Sequence, residues 1–259
     1  MRRNLLRERL DGPDVLVGVV LPFRAPDAVE FCGHLGFDWI LIDGEHGGVG
    51  VETSYALVTA ADAVGMASVV RVPANDPTVI LGYAESGANA ILAPHIMSAG
   101  AGAQLVQAVR YAPQGSRGAM SGSRAANYGL TQTSAEYFAA VDKQAIPIGM
   151  IEDKQALDDL DEIVRVPGLE HFFIGPGDLA MSLGLPGMAF DPRVQDEVAR
   201  AVKVISAAGK TVGTLVNNAK SAERLVADGA RMITVSLAGF LSPAIQEFLK
   251  SVRQLRVAS

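Results

Sequence analysis

Asp43, Glu45 and His46 follow directly on the apolar run Trp39-Ile-Leu-Ile42, with Gly44, Gly47 and Gly48 between and behind them. An apolar run of that length, bounded by turn signals, reads as a strand covered on both faces. Its polar end gathers groups that move protons or hold cations. The same change recurs along the chain. Ala67–Val70 runs into Arg71, Ala90–Ala93 into Pro94 and His95, Met150-Ile151 into Glu152 and Asp153, and Phe173-Ile174 into Gly175-Pro-Gly-Asp178. A seventh run ends near Asn217.

Glu152 and Asp178 suit a hard divalent cation, because Mg2+ or Mn2+ takes oxygen ligands, keeps waters and needs few protein carboxylates. The bland alternative is that Glu152 opens a helix over 154–165 and Asp178 caps a turn at 178–183. His46 is the natural general base, since an imidazole titrates near working pH; otherwise it is a loop histidine bonded to a backbone carbonyl. His34 falls in a helix, His171 opens a strand, and His95 fits either description. A buried Arg71 requires an anion. That anion is Asp43 or Glu45, or charge developing on a substrate oxygen. Gly175-Pro-Gly-Asp178 leaves backbone N–H groups free to meet a carboxylate or phosphate, without matching a P-loop or a dinucleotide fingerprint. No lysine stands at a strand end, which disfavours a Schiff base.

These residues lie far apart in sequence, so the fold must bring them together. Eight strand-length runs are readable, at 15–21, 39–43, 68–72, 90–94, 146–151, 171–175, 211–216 and 231–236. Between them lie helix patterns near 53–64, 77–86, 99–111, 134–143, 154–165, 192–208 and 219–228, after a short one at 3–10. The last helix is expected at about 241–255, following Ser242-Pro243, with Leu241, Ile245, Phe248 and Leu249 on one stripe. Glycines at 36, 87, 209 and 229 stand where a helix hands over to the next strand. Asp76-Pro77 and Asp191-Pro192 are helix-start signals. Eight such units over about 250 residues predict a single (β/α)8 TIM barrel spanning 1–259, with its chemistry at the C-terminal strand ends. The long loops at 112–133 and 175–191 are candidates for function.

Composition narrows the partners. The 259 residues carry a formal net charge of −6, with no basic stripe, which argues against nucleic acid. The longest apolar runs are strand-length, so no membrane span is expected. Cys32 is the sole cysteine and reads as a small buried apolar residue; a chain without disulfides fits a reducing cytoplasm. The opening residues carry charges but no apolar core, unlike a secretory signal.

Five segments, in order, resemble the class II pyruvate aldolases of the HpcH/HpaI family. They are Ile42-Asp-Gly-Glu-His-Gly47, Val70-Arg-Val-Pro-Ala-Asn-Asp76, Arg110-Tyr-Ala-Pro-Gln-Gly-Ser-Arg-Gly118, Met150-Ile-Glu152 and Phe173-Ile-Gly-Pro-Gly-Asp-Leu179. The resemblance implies a barrel that binds Mg2+, Mn2+ or Co2+ and forms a homo-oligomer, often a hexamer of dimers that exchange the C-terminal helix. It implies His46 as a base acting through a metal-bound water, Arg71 as enolate stabiliser, Glu152 and Asp178 as metal ligands, and the backbone at Gly177 and Asp178 as the seat of the pyruvate carboxylate. Asp43 and Glu45 become groups that orient His46, Arg71 and bound water. Two positions depart from the family. Met150 stands where Gln is usual, and Glu85 where an Asp pairs with the catalytic histidine; Glu85 is expected to accept a hydrogen bond from His46.

The expected reaction is reversible cleavage of a 4-hydroxy-2-keto acid to pyruvate and an aldehyde. Met150 keeps open an oxaloacetate decarboxylase, or another enolate-using lyase or synthase, on the same site. An acyl-CoA lyase would need a basic patch that is not evident. A non-enzymatic binding barrel would be expected to lack one of His46, Arg71, Glu152 or Asp178.

Overall fold

The computed structural model describes residues 3–255. In chain order the elements are α1 (Leu5–Leu10), β1 (Leu16–Val20), α2 (Pro26–His34), β2 (Trp39–Asp43), α3 (Val51–Ala63), β3 (Ala67–Arg71), α4 (Pro77–Ala84), β4 (Ala90–Ala93) and α5 (Ala99–Val109). A 3-10 turn at Arg124–Gly129 lies in the long loop, before α6 (Ser134–Gln144) and β5 (Pro147–Ile151). Then come α7 (Lys154–Asp158), α8 (Leu160–Ile163), β6 (His171–Ile174), α9 (Pro176–Ser182), α10 (Pro192–Ala207), β7 (Thr211–Val216), α11 (Ala219–Ala227), β8 (Met232–Ser236) and α12 (Leu237–Val252). The eight strands pair in sequence order, all parallel, and β8 closes on β1. This is the expected barrel, with each strand within one residue of its predicted ends.

The strand period explains how one ring makes two cores. Residues one step apart face opposite sides of the wall. Trp39, Leu41, Val69, Leu92, Ile148, Met150, Phe173 and Met232 fill the interior, and Leu6 and Leu10 of α1 pack with them. Ile40, Ile42, Val70, Ile91, Ile151, Phe172 and Ile174 point outward into the layer beneath the helices. The junction glycines 36, 87, 209 and 229 all take positive φ, from 74° to 112°, which a side chain would resist. Asp76 accepts the N–H groups of Thr78 and Val79, and Asp191 that of Arg193, so both helix-start signals act as read.

Three helical readings need correction. The span expected as one helix over 154–165 breaks at Asp159 (φ −97°, ψ 10°) into α7 and α8. The turn expected at 178–183 is a helix that starts earlier, at Pro176. The last helix begins at Leu237 rather than 241, because the Ser236 hydroxyl accepts the Gly239 N–H and starts it. Pro243 then lies inside the helix, where its missing N–H weakens the ladder without ending it.

Helix α12 leaves Phe240, Leu241, Ile245, Phe248 and Leu249 exposed. Val17, facing outward on β1, is also exposed, while Val19 on the same face is buried. No described helix is long and apolar enough to cross a membrane.

Candidate active site

The last inward position of each strand forms the floor of a cleft at the C-terminal ends. On β2 the alternation Trp39, Leu41 places Asp43 inward, and on β3 Ala67, Val69 places Arg71 beside it. Past β5 the sequence Ile148, Met150 places Glu152 inward. On β6 the corresponding residue is Gly175, which leaves room. A Cβ there would lie 2.6 Å from Glu152 Oε2 and 2.6 Å from Met150 Cε.

Arg71 is the cation of this floor. Its Nε donates to Asp43 Oδ1 at 2.9 Å and its Nη2 to Asp43 Oδ2 at 2.7 Å. Its Nη1 lies 3.1 Å from Glu45 Oε2 and 3.9 Å from Met150 Sδ. Asp43 Oδ1 also accepts the backbone N–H groups of Glu45 and His46, both at 3.1 Å, which pins the turn behind the strand. Burial alone would raise the Asp43 pKa, but the Arg71 pair and the two N–H groups outweigh it and hold it below the usual carboxylate range. Burial likewise works against the Arg71 charge, and Asp43, Glu45 and Glu152 more than compensate.

His46 stands at the rim, its side chain 60% exposed, with Nε2 3.7 Å from Glu45 Oε2 and 3.7 Å from Asp178 Oδ2. Both distances exceed a direct hydrogen bond. Asp178 lies in the first turn of α9. A side chain at Gly177 would meet nothing within 4 Å, so the backbone there is open to a ligand.

Glu152 is fully buried. Its Oε1 accepts the His95 N–H at 3.0 Å, while its Oε2 is buried without a partner among the described residues. Burial is the main force that pushes its carboxyl up to about 7, and the charges of Glu45 and Asp178 add to this. A carboxylate held that way calls for a cation. No group of three or more His, Cys, Asp or Glu side chains among the described residues forms a ready-made cage. The buried, unpartnered Glu152 Oε2 fits a hard divalent ion that takes oxygen ligands and completes its shell with water or substrate.

The cleft thus gathers Asp43, Glu45, His46, Arg71, Glu152, Gly177 and Asp178. Glu85 is the exception. It caps α4, which leads into the N-terminal end of β4, so it sits toward the opposite face of the barrel. There its Oε1 accepts from Arg117 Nη2 at 2.8 Å. The hydrogen bond expected from His46 is not made within this chain, since helix direction carries Glu85 away, and Arg117 binds only its Oε1. Two residues of the cleft were not assigned roles from sequence. His95 and Asp153 stand together, Nδ1 to Oδ2 at 2.9 Å, and their position just after β4 and β5 was the available signal.

The family model for HpcH/HpaI aldolase/citrate lyase matches residues 16–242. A 2-keto-3-deoxy-L-rhamnonate aldolase of Escherichia coli is 34% identical over 235 residues, covering 90% of this chain and 87% of its own length. A 4-hydroxy-2-oxovalerate aldolase of Rhodococcus jostii is 37% identical over 235 residues, covering 90% of each. The crystal structure of an HpcH/HpaI aldolase/citrate lyase family protein from Burkholderia cenocepacia superposes with a TM-score of 0.89 at 31% identity, over 97% of this chain and 100% of that one. With the barrel, the cleft and these matches in agreement, the chain belongs to the HpcH/HpaI aldolase/citrate lyase family.

Proposed function

We propose that this chain is a divalent-metal-dependent aldolase that reversibly cleaves 4-hydroxy-2-keto acids to pyruvate and an aldehyde. The observation that carries the reading is the buried, half-satisfied Glu152 carboxylate beside Arg71, Asp178 and His46. Glu152 and Asp178 would hold Mg2+, Mn2+ or Co2+, which when bound supplies Lewis-acid polarisation of the keto carbonyl.

The chain's own residues do the rest. The N–H groups at Gly177 and Asp178 receive the substrate carboxylate. His46 takes the proton from the C4 hydroxyl, the C3–C4 bond breaks, the aldehyde departs, and C3 of the enolate takes up one proton to give pyruvate while His46 is returned to its neutral form. Arg71 faces the enolate oxygen as its charge develops, and Asp43 keeps the guanidinium from swinging away. Glu45 steadies both Arg71 and the His46 ring.

Retro-aldol assays on wild type and His46→Ala, with and without EDTA, test this. Activity is expected to vanish with the chelator and to drop at least a hundredfold in the variant. Metal-independent activity, or full activity in the variant, would overturn the proposal. Oxaloacetate decarboxylation is a second reading, favoured by the Met150 thioether lying against Arg71 in place of a hydrogen-bonding group. It forms the same enolate but needs no base at C4, so a His46→Ala enzyme with intact decarboxylation would support it.

The exposed apolar face of α12 supports a homo-oligomer in which α12 docks on a second copy. Phe248→Glu is expected to lower the mass read by light scattering. The lone cysteine and the absence of disulfides support a cytoplasmic setting.

A further inference from the structure

His95 holds a conformation that its residue type resists. Its φ is 53°, in the left-handed region, where a non-glycine backbone is strained and usually held for a reason. That backbone turn aims its N–H at Glu152 Oε1. The ring is fixed separately. Its Nδ1 lies 2.9 Å from Asp153 Oδ2, and its Nε2 lies 3.8 Å from Glu45 Oε1, with the side chain 47% exposed. His46 reaches the other oxygen of the same carboxylate, 3.7 Å from Glu45 Oε2. Two imidazoles, one beyond β2 and one beyond β4, therefore bracket Glu45 at the cleft mouth. Because Asp153 occupies Nδ1, Nε2 is the ring atom that His95 can offer a ligand.

We infer that His95 is a specificity-determining residue whose Nε2 hydrogen-bonds a hydroxyl on the carbon next to the aldehyde carbonyl, selecting 2-hydroxyaldehydes over simple alkanals. The inference rests on the aldolase reading, which puts the C4 oxygen at His46. His46 and His95 stand on opposite oxygens of Glu45, 3.7 and 3.8 Å away, so a chain leading out from a C4 oxygen at His46 passes across Glu45 toward His95. A hydroxyl both donates and accepts, so it suits Nε2 in either protonation state. A carboxylate in its place would face Glu45, Glu152 and Asp153 and be repelled. A methyl group would make no hydrogen bond.

The test is aldol addition of pyruvate to two aldehydes of the same size and shape, glycolaldehyde and propanal, with Mn2+ affinity read in parallel by calorimetry. His95→Gly keeps the left-handed backbone and removes the ring, and His95→Asn also tolerates that backbone. Wild type is expected to prefer glycolaldehyde in kcat/KM by about tenfold or more, consistent with one hydrogen bond in the selective complex. In both variants the ratio should fall roughly tenfold, mostly through glycolaldehyde, while Mn2+ affinity stays within about threefold. An unchanged ratio overturns the inference. So does an equal loss on both aldehydes together with lost Mn2+ affinity, which would make His95 only a support for Glu152. A wild type that turns over both aldehydes without preference overturns it while leaving the aldolase reading intact. A wild type inert toward both overturns that reading and this inference with it.

Discussion

Asp43 and Arg71 are register partners across the β2–β3 pair, and their side chains close a two-pronged ion pair, 2.9 and 2.7 Å, on the inner face of the barrel. The register places them side by side, and the shared inward face makes them meet. The same Asp43 oxygen ties down the backbone that carries His46. One carboxylate thus coordinates the placement of the guanidinium and of the rim imidazole.

Asp43→Asn should expose that dual role. The amide keeps one acceptor and loses the charge, leaving Arg71 with Glu45. We expect a stability loss of about 1–3 kcal/mol, read by urea unfolding. The kcat should fall at least tenfold with a smaller change in KM, because the role proposed for Arg71 is to meet charge that develops during the reaction. Unaltered kcat would show that Arg71 holds its position without the pair.

Gly175 offers a separate handle on the cation proposed at Glu152. An added methyl would strike Glu152 Oε2 and the Met150 methyl, so one of them must move. Gly175→Ala should weaken Mn2+ binding tenfold or more by calorimetry and cost about 1–3 kcal/mol of stability through overpacking. Unchanged Mn2+ affinity would place the cation away from Glu152 Oε2.

The raised Glu152 pKa gives metal binding a pH signature. The folded protein holds this proton up to about 7, whereas the unfolded chain releases it near 4.5. In the metal-free protein, this group's contribution to stability therefore declines as pH rises from about 4.5 to 7 and is level above that. A cation needs the ionised form, so its affinity should climb up to tenfold per pH unit below about 7 and then flatten. The thermal shift produced by Mn2+ should accordingly grow between pH 5.5 and 7.5. A shift that is constant across that range would contradict the assignment.

His171 sets the acid limit from the other end of the barrel. It opens β6, is buried, and neither ring nitrogen has a partner among the described residues. Burial, aided by the charges of Arg7 and Lys210, depresses its pKa from 6.5 to about 3. The unfolded chain takes up a proton below 6.5 and the folded one resists, so stability is lost as pH falls through that window, at up to ~1.4 kcal/mol per pH unit. His171→Phe should lose less stability than wild type between pH 7 and pH 5, by about 2 kcal/mol in urea unfolding. Parallel pH curves for the two proteins would refute it.

The strand ends were legible because a parallel barrel buries each strand on both faces, so an apolar run stops where the wall stops. Asp43, Arg71 and Glu152 could be placed on one rim from that rule alone. Glu85 could not. Motif position put it beside His46, but the sequence around it does not reveal that Arg117, in a loop 32 residues on, claims its carboxylate. His95 escaped assignment for a related reason. Its left-handed backbone is a tertiary outcome, fixed by Glu152 and Asp153 from the neighbouring strand. The early start of α12 was hidden by Pro243, which reads locally as a boundary and is carried inside the helix by the Ser236 cap.

The interior layer below the cleft has an optical consequence. Trp39, the only tryptophan, is completely buried, edge-on to Phe173, and its indole fills the space that a side chain at Gly18 would need. Gly18 and Trp39 are themselves register partners at the β1–β2 seam. The chain therefore carries one indole, seated inside the ring on β2, next to the strand on which β8 closes. Its emission should be short-wavelength while the ring is shut and move to the red when β1 separates from β2, so that native fluorescence reads barrel closure with no added dye.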